Sequence, residues 1–271
     1  MKSVSGYLHS VVCIVVSALI LASCSRSPPG IIVVTPQNAS LLNQSSSSSE
    51  LEGPIQEVTF NTLDHIKIAA TYYRGMNVSG NTKAVILVHM LNRDKSSWKT
   101  VAQTLQEAGF AVLAIDLRGH GESDLDWQNF GIKEWNAATN DIKRAKKFFV
   151  DKGIDDENVY LVGASIGANL ALSYAVQDTD IKKVVLLSPG LDYRGVDIEG
   201  PNKKYDREVM YVAAMKDEYS YTSVLQLYRE SPSQLPTQKS LKIYKGATHG
   251  TDLFEVHPDV LIALLDFMKQ T

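Results

Sequence analysis

Four short apolar runs, at residues 84–88, 111–115, 159–162 and 184–187, punctuate this chain with almost no polar residue inside them. A strand with one wet face alternates apolar and polar residues, whereas a strand covered on both faces is continuously apolar. The runs therefore predict strands in a sheet with both sides buried. Stretches of helical period lie between them. Residues 96–108 form one, stopped by Gly109. Residues 133–150 form another, with Trp135, Ala138, Ile142, Ala145 and Phe149 on one stripe. A last helix is expected from Pro258, a favoured first-turn residue, with Val260, Leu261, Leu264, Leu265 and Met268 on its apolar side. Two more strands are expected at 209–215 and 241–244, and residues 55–60 and 66–73 read as an antiparallel hairpin about a polar turn. Alternation of this kind predicts an α/β fold, mostly parallel in its central sheet, with helices on both faces and the N-terminal hairpin added.

Composition narrows the function classes. The chain has 271 residues, 44% of them hydrophobic, enough for one substantial core. Its net charge of -3 carries no basic surplus of the kind that binds nucleic acid, so no nucleic-acid partner is expected. The only cysteines are Cys13 and Cys24. The rest of the chain therefore has neither a disulfide framework nor a cysteine-ligated metal.

The N-terminal segment reads as an address. Lys2 precedes a nearly all-apolar run at 11–22, too short to cross ~30 Å of hydrocarbon as a helix but suited to a signal peptide. It ends in Leu21-Ala22-Ser23-Cys24, which resembles the lipobox of prokaryotic lipoproteins. That resemblance implies cleavage before Cys24, lipid attachment to its thiol, and a membrane-anchored protein on the extracytoplasmic side. Residues 24–53, with Pro28, Pro29, Gly30 and the serine run at 45–49, read as a tether. The expected organisation is a signal peptide at 1–23, the tether at 24–53 and a catalytic domain at 54–271.

In parallel sheets reactive groups gather beyond the carboxyl ends of the strands. The run at 159–162 leads into Gly163-Ala164-Ser165-Ile166-Gly167, with a helix to follow. This is the G-x-S-x-G turn in its strand-then-helix context, which lifts the serine hydroxyl out of the sheet. The amide of Ile166, at the helix start, then faces the reacting oxygen. Ser165 is the candidate nucleophile.

Here the chain resembles the α/β-hydrolase superfamily, in particular dienelactone-hydrolase-like and esterase-like members with little or no lid. Three further stretches carry the resemblance. His89-Met90-Leu91 is similar to the family's H-G-x segment and implies Leu91 N–H as the second oxyanion donor, with Met90 N–H as the alternative because Met90 replaces the usual glycine. Asp116-Leu117-Arg118-Gly119-His120-Gly121-Glu122-Ser123 is similar to the family's D-x-R-G-H-G-x-S turn, whose role is structural. His249, in Gly246-Ala247-Thr248-His249-Gly250, stands where the family places its base, with His257 as the rival. The acid falls between serine and histidine in chain order. Asp217 follows the strand at 209–215, and Asp192 is the earlier alternative.

The implied chemistry is attack by Ser165 on an acyl carbonyl, with His249 as base, Asp217 orienting it, and an acyl-enzyme hydrolysed in a second half-cycle. It calls for a small acyl substrate and for no metal or organic cofactor. A carboxylic-ester hydrolase is the leading reading. Thioesterase, lactonase, amidase or peptidase and acyltransferase use the same triad, and a non-catalytic lipid-anchored binding protein is the reading of another class. Gly195, Gly200 and Pro201 predict an open loop between the strands at 184–187 and 209–215.

Overall fold

The computed structural model describes residues 54–76, 78–233 and 238–270. They belong to one compact unit, Leu51–Thr271. The expected signal peptide, the Cys24 lipobox and the expected tether, residues 1–53, all lie outside the described residues.

The eight strands of the main sheet are β1 (Ile55–Asn61), β2 (Lys67–Tyr73), β3 (Ala84–Val88), β4 (Ala111–Ile115), β5 (Val159–Ala164), β6 (Lys183–Leu187), β9 (Glu208–Ala214) and β10 (Lys239–Tyr244), while β7 (Asp192–Tyr193) and β8 (Val196–Asp197) form a small separate hairpin. The spatial order is β1-β2-β4-β3-β5-β6-β9-β10. β1 pairs antiparallel with β2 and β2 with β4; every other pair in the sheet is parallel. Strands β3, β4, β5 and β6 are buried at every residue, as their unbroken apolar runs require. The predicted α/β architecture and N-terminal hairpin are observed.

Helices cover both faces and divide the core. One cluster joins Ile86, Leu113 and Leu161 to Ile142, Phe149 and Leu170, and the other joins Leu87, Val112 and Val162 to Leu105, Leu264 and Met268. Helix α1 (Lys99–Glu107) follows a tight 3-10 turn whose start is capped by Asp94, which accepts from Ser96 N at 2.8 Å. Helix α4 (Ile166–Ala175) is buried at all ten positions, so it packs at the centre of the fold rather than on its surface. Pro258 caps α8 (Asp259–Lys269), as its position predicts.

Two expectations need correction. The helix expected over 133–150 is two helices, α2 (Ile132–Ala137) and α3 (Thr139–Asp151). Side chains disturb the ladder at the joint: Asn136 Nδ2 donates to Ile132 O at 2.8 Å, and Thr139 Oγ1 donates to Asn136 O at 2.8 Å. The loop expected to be open after β6 is packed. It holds the β7–β8 hairpin and the short helix α5 (Glu199–Lys204), with Val196, Ile198, Asn202 and Tyr205 buried. Asn202 Nδ2 donates to Leu227 O at 2.8 Å, tying this excursion to helix α6 (Glu218–Glu230).

Candidate active site

Ser165 occupies the turn between β5 and α4 with φ 54° and ψ −123°, a strained conformation for a residue with a side chain. What holds it there is close approach on both sides. A Cβ on Gly163 would lie 2.3 Å from Gly167 O, and one on Gly167 would lie 2.4 Å from Val88 O and 2.5 Å from His89 O. All three contacts are backbone, so no side-chain adjustment relieves them. Ser165 N donates to Leu187 O at 2.8 Å, anchoring the turn to β6. Ile166 N opens α4, where the first amides have no partner within the helix.

The loop after β3 carries the second candidate donor. His89 is fully buried and spans two segments: its Nε2 accepts from Leu117 N at 3.0 Å, so its Nδ1 carries the proton and donates to Met90 O at 2.9 Å. Burial, then the neighbouring His120, holds its pKa down at about 4, which keeps the ring neutral. Met90 O also accepts from Arg93 N at 3.2 Å, closing a tight turn with Asn92 at φ 60°. Met90 is buried against the base loop, its sulfur 2.4 Å from where a Cβ on Gly250 would sit. The residue that departs from the family's glycine is thus a core residue linking two loops of the site. Among the described residues, Leu91 N–H meets no protein acceptor.

His249 follows β10, and its Nδ1 lies 2.7 Å from Asp217 Oδ2. Asp217 sits at the end of β9 as the N-cap of α6. The same loop reaches the serine turn, because a Cβ on Gly250 would be 3.5 Å from Ala164 Cβ, and Gly250 N donates to Ser188 Oγ at 3.0 Å. The rivals are engaged elsewhere. Asp192 Oδ1 accepts from Gly195 N at 2.7 Å inside the hairpin turn, and His257 Nε2 lies 2.7 Å from Lys245 O at the entry to α8.

The octapeptide after β4 is a bracing turn, as its resemblance implies. Buried Asp116 accepts from Lys95 N at 2.7 Å and Glu122 N at 2.9 Å and pairs with Lys95 Nζ at 2.9 Å. Buried Arg118 bridges Asp141, at 2.8 Å from Nη2, and Asp64, at 2.7 Å from Nη1. Burial pushes the Asp141 carboxyl up to about 6 against the pull of Arg118. His120 stacks on Trp127, with ring centroids 5.7 Å apart, and Phe130 meets Trp135 edge-on at 5.3 Å. Trp127 and Phe130 therefore pack on the core.

Residues not singled out from sequence complete the site. Tyr193, on the hairpin, places its ring perpendicular to His249 at 6.3 Å. Its hydroxyl hydrogen-bonds Ser220 Oγ at 3.0 Å. Ser220 Oγ donates to Ser188 O at 3.2 Å. Fully buried Asn169 clamps the hairpin to α4: its Nδ2 donates to Gly190 O at 3.0 Å and Val196 O at 2.8 Å, and its Oδ1 accepts from Gly190 N at 3.2 Å. The Asp-Tyr-Arg-Gly turn at 192–195 was the available sequence signal for this hairpin.

Strand order, the serine turn after β5 and a histidine–carboxylate pair beyond β9 and β10 define one fold. The chain has the α/β-hydrolase fold. A family model described as serine aminopeptidase, S33, matches residues 80–204, which span the proposed oxyanion loop, the bracing turn and the nucleophile turn of this α/β-hydrolase fold. An uncharacterized protein of Mycobacterium tuberculosis is 27% identical over 146 residues, 54% of this chain and 40% of that protein. A monoacylglycerol lipase of Xenopus laevis is 28% identical over 140 residues, 51% of this chain and 39% of that enzyme. The matches thus cover about 40% of the length of these curated relatives. Among solved structures, an esterase of Pyrococcus furiosus superposes with a TM-score of 0.65 at 18% identity, over 89% of this chain and 96% of that one. Est1E of Butyrivibrio proteoclasticus, solved with ferulic acid bound, gives 0.64 at 22% identity over 78% and 97%.

Proposed function

We propose that this protein is a serine hydrolase of carboxylic esters, working through Ser165, His249 and Asp217. The observation that carries the reading is a serine at φ 54° on a glycine-flanked strand–helix turn, with a histidine, paired to a carboxylate at 2.7 Å, on the loop packed against that turn. Asp217 accepts the Nδ1 proton of His249, which leaves Nε2 as the base. His249 takes the Ser165 proton as Oγ attacks the ester carbonyl. The amides of Ile166 and Leu91 stabilise the oxyanion, and His249 returns the proton to the departing alcohol. Water then repeats the sequence on the acyl-enzyme. Esterase and monoacylglycerol lipase among the similar proteins support an ester substrate.

The test is hydrolysis of aryl esters from acetyl to dodecanoyl, run beside the matching aryl amides, with Ser165→Ala as control. Ester turnover lost in Ser165→Ala is expected. Activity that survives the substitution overturns the mechanism, and turnover of amides alone moves the reading to the peptidase class that the family model's description names.

We further propose that Cys24 carries a lipid that anchors the protein on the extracytoplasmic side of a membrane, on the lipobox sequence alone. Cys24→Ala is expected to move the protein from the membrane fraction to the soluble fraction; unchanged fractionation rejects the anchor.

A further inference from the structure

Two turns carry the proposed second oxyanion donor and the proposed base, and each is closed on itself. In residues 90–93, Arg93 N donates to Met90 O at 3.2 Å; in residues 249–252, Asp252 N donates to His249 O at 3.2 Å. A closed turn moves as a unit, so the place of Leu91 N–H relative to His249 depends on what joins one turn to the other. Among the described residues two joints are seen. Buried Met90 sets its sulfur against Gly250, 2.4 Å from where a Cβ there would sit. At the exposed end, Arg93 Nη2 donates to both carboxylate oxygens of Asp252, at 3.1 and 3.2 Å. Both side chains line a groove of about 450 Å³ that also takes in Asn92 and Thr251. Packing between the turns is therefore incomplete on this side, and the ion pair supplies the contact.

We infer that Arg93 and Asp252 are positioning residues for the proposed ester hydrolysis, an ionic clasp that fixes the oxyanion turn against the base turn. A single joint at Met90 leaves the two turns free to hinge about it, and a second joint removes that freedom. The base turn is itself tied to the body of the fold, through Asp217 to His249 Nδ1 at 2.7 Å and Ser188 Oγ to Gly250 N at 3.0 Å. The turn bearing Leu91 is thus the part that the clasp holds. Its place matters because the carbonyl oxygen of the substrate must meet Leu91 N–H while His249 serves Ser165 and then the departing alcohol. In such an arrangement a misplacement of about 1 Å costs up to ~10²-fold in rate. The clasped side chains are roughly half exposed, so the clasp is a weak one and responds to salt.

The inference rests on the proposed nucleophile and base, and the experiment separates the two. On an uncharged aryl ester, kcat and KM are measured for wild type, Arg93→Gln, Asp252→Asn, the double variant and Arg93→Lys, in about 0.05 M and about 1 M sodium chloride. The rate of fluorophosphonate labelling at Ser165 and the urea midpoint are read beside them. Each single neutral variant is expected to lower kcat at low salt by about two- to fivefold, the range open to an exposed ion pair, with KM nearly unchanged. The double variant is no slower than the slower single, and Arg93→Lys, which keeps the charge, retains most of the rate. High salt brings wild-type kcat toward that of the variants and leaves theirs unchanged. Where Ser165 labels but the ester is not turned over, the labelling rate carries the same comparison. A shifted urea midpoint with kcat unchanged, losses that multiply in the double variant, or equal salt dependence in wild type and double variant overturns the clasp while leaving the nucleophile intact. A wild type that neither labels nor turns over overturns both.

Discussion

At the scale of single residues, the proposed base and its proposed acid give the sharpest expectation. Asp217→Asn preserves shape but reverses the hydrogen-bonding demand on His249 Nδ1, so the imidazole presents the wrong tautomer to Ser165. By analogy with other triads, kcat is expected to drop about 10⁴-fold, read in the same ester assay. His89 belongs to stability instead. Its folded pKa of about 4 lies below the ordinary histidine value of 6.5, so the unfolded chain binds this proton first as pH falls. The stability it contributes is complete above pH 6.5 and is lost as pH drops through 4, by roughly 1–3 kcal/mol. Asp141, held up at about 6, acts in the opposite sense in the same window. A comparison of wild type with His89→Gln therefore isolates the histidine: the urea midpoint falls less steeply from pH 6.5 to pH 4 in the variant. Identical slopes in the two proteins reject a buried, neutral His89. Chain order and local motif single out Ser165, Asp217 and His249 as candidates, and the structure brings Asp217 and His249 within 2.7 Å of each other. Tyr193 was not legible as a neighbour of His249, because its place depends on where a hairpin from another part of the chain comes to rest.

At the scale of elements, strands read well and joints read poorly. A parallel strand buried on both faces must be apolar throughout, and β3, β4, β5 and β6 show this directly. The break between α2 and α3 is set by two side chains that bond backbone carbonyls, which leaves the apolar stripe undisturbed. The packed excursion after β6 was hidden for a related reason. Its glycines suggest freedom, while buried Asn169 and Asn202, which fix it, belong to different elements. Asn169→Leu tests that clamp. It leaves the backbone groups of Gly190 and Val196 without partners in the interior, and each such loss costs ~1–3 kcal/mol. The expected result is a urea midpoint shifted by several tenths of a molar or more, with ester turnover reduced because Tyr193, whose ring meets His249, rides on the same hairpin. A midpoint equal to wild type would show that the clamp bears no load.

At the scale of the molecule, the described elements all fall within residues 51–271. A fragment of that span is expected to unfold in one cooperative step at the temperature of the full chain, and to match its kcat on soluble esters. A lower melting temperature or a lost transition would assign the N-terminal 50 residues a part in folding. The sequence sets the expected start of the catalytic domain at residue 54, where Ser- and Pro-rich composition gives way to alternating strands and helices.

The approach of Gly167 to Val88 O and His89 O has a consequence for how such a protein acquires new substrates. At this point the segments bearing Leu91 and Ile166 meet backbone to backbone, so replacing a side chain at residue 88 or 89 does not relieve the contact that sets the spacing of the two proposed oxyanion donors. Selection in the laboratory for new ester substrates should therefore leave 88–91 and 163–167 untouched. Accepted changes should collect on the exposed side chains of the β7–β8 hairpin and of α2, such as Ile132, which lies 66% exposed.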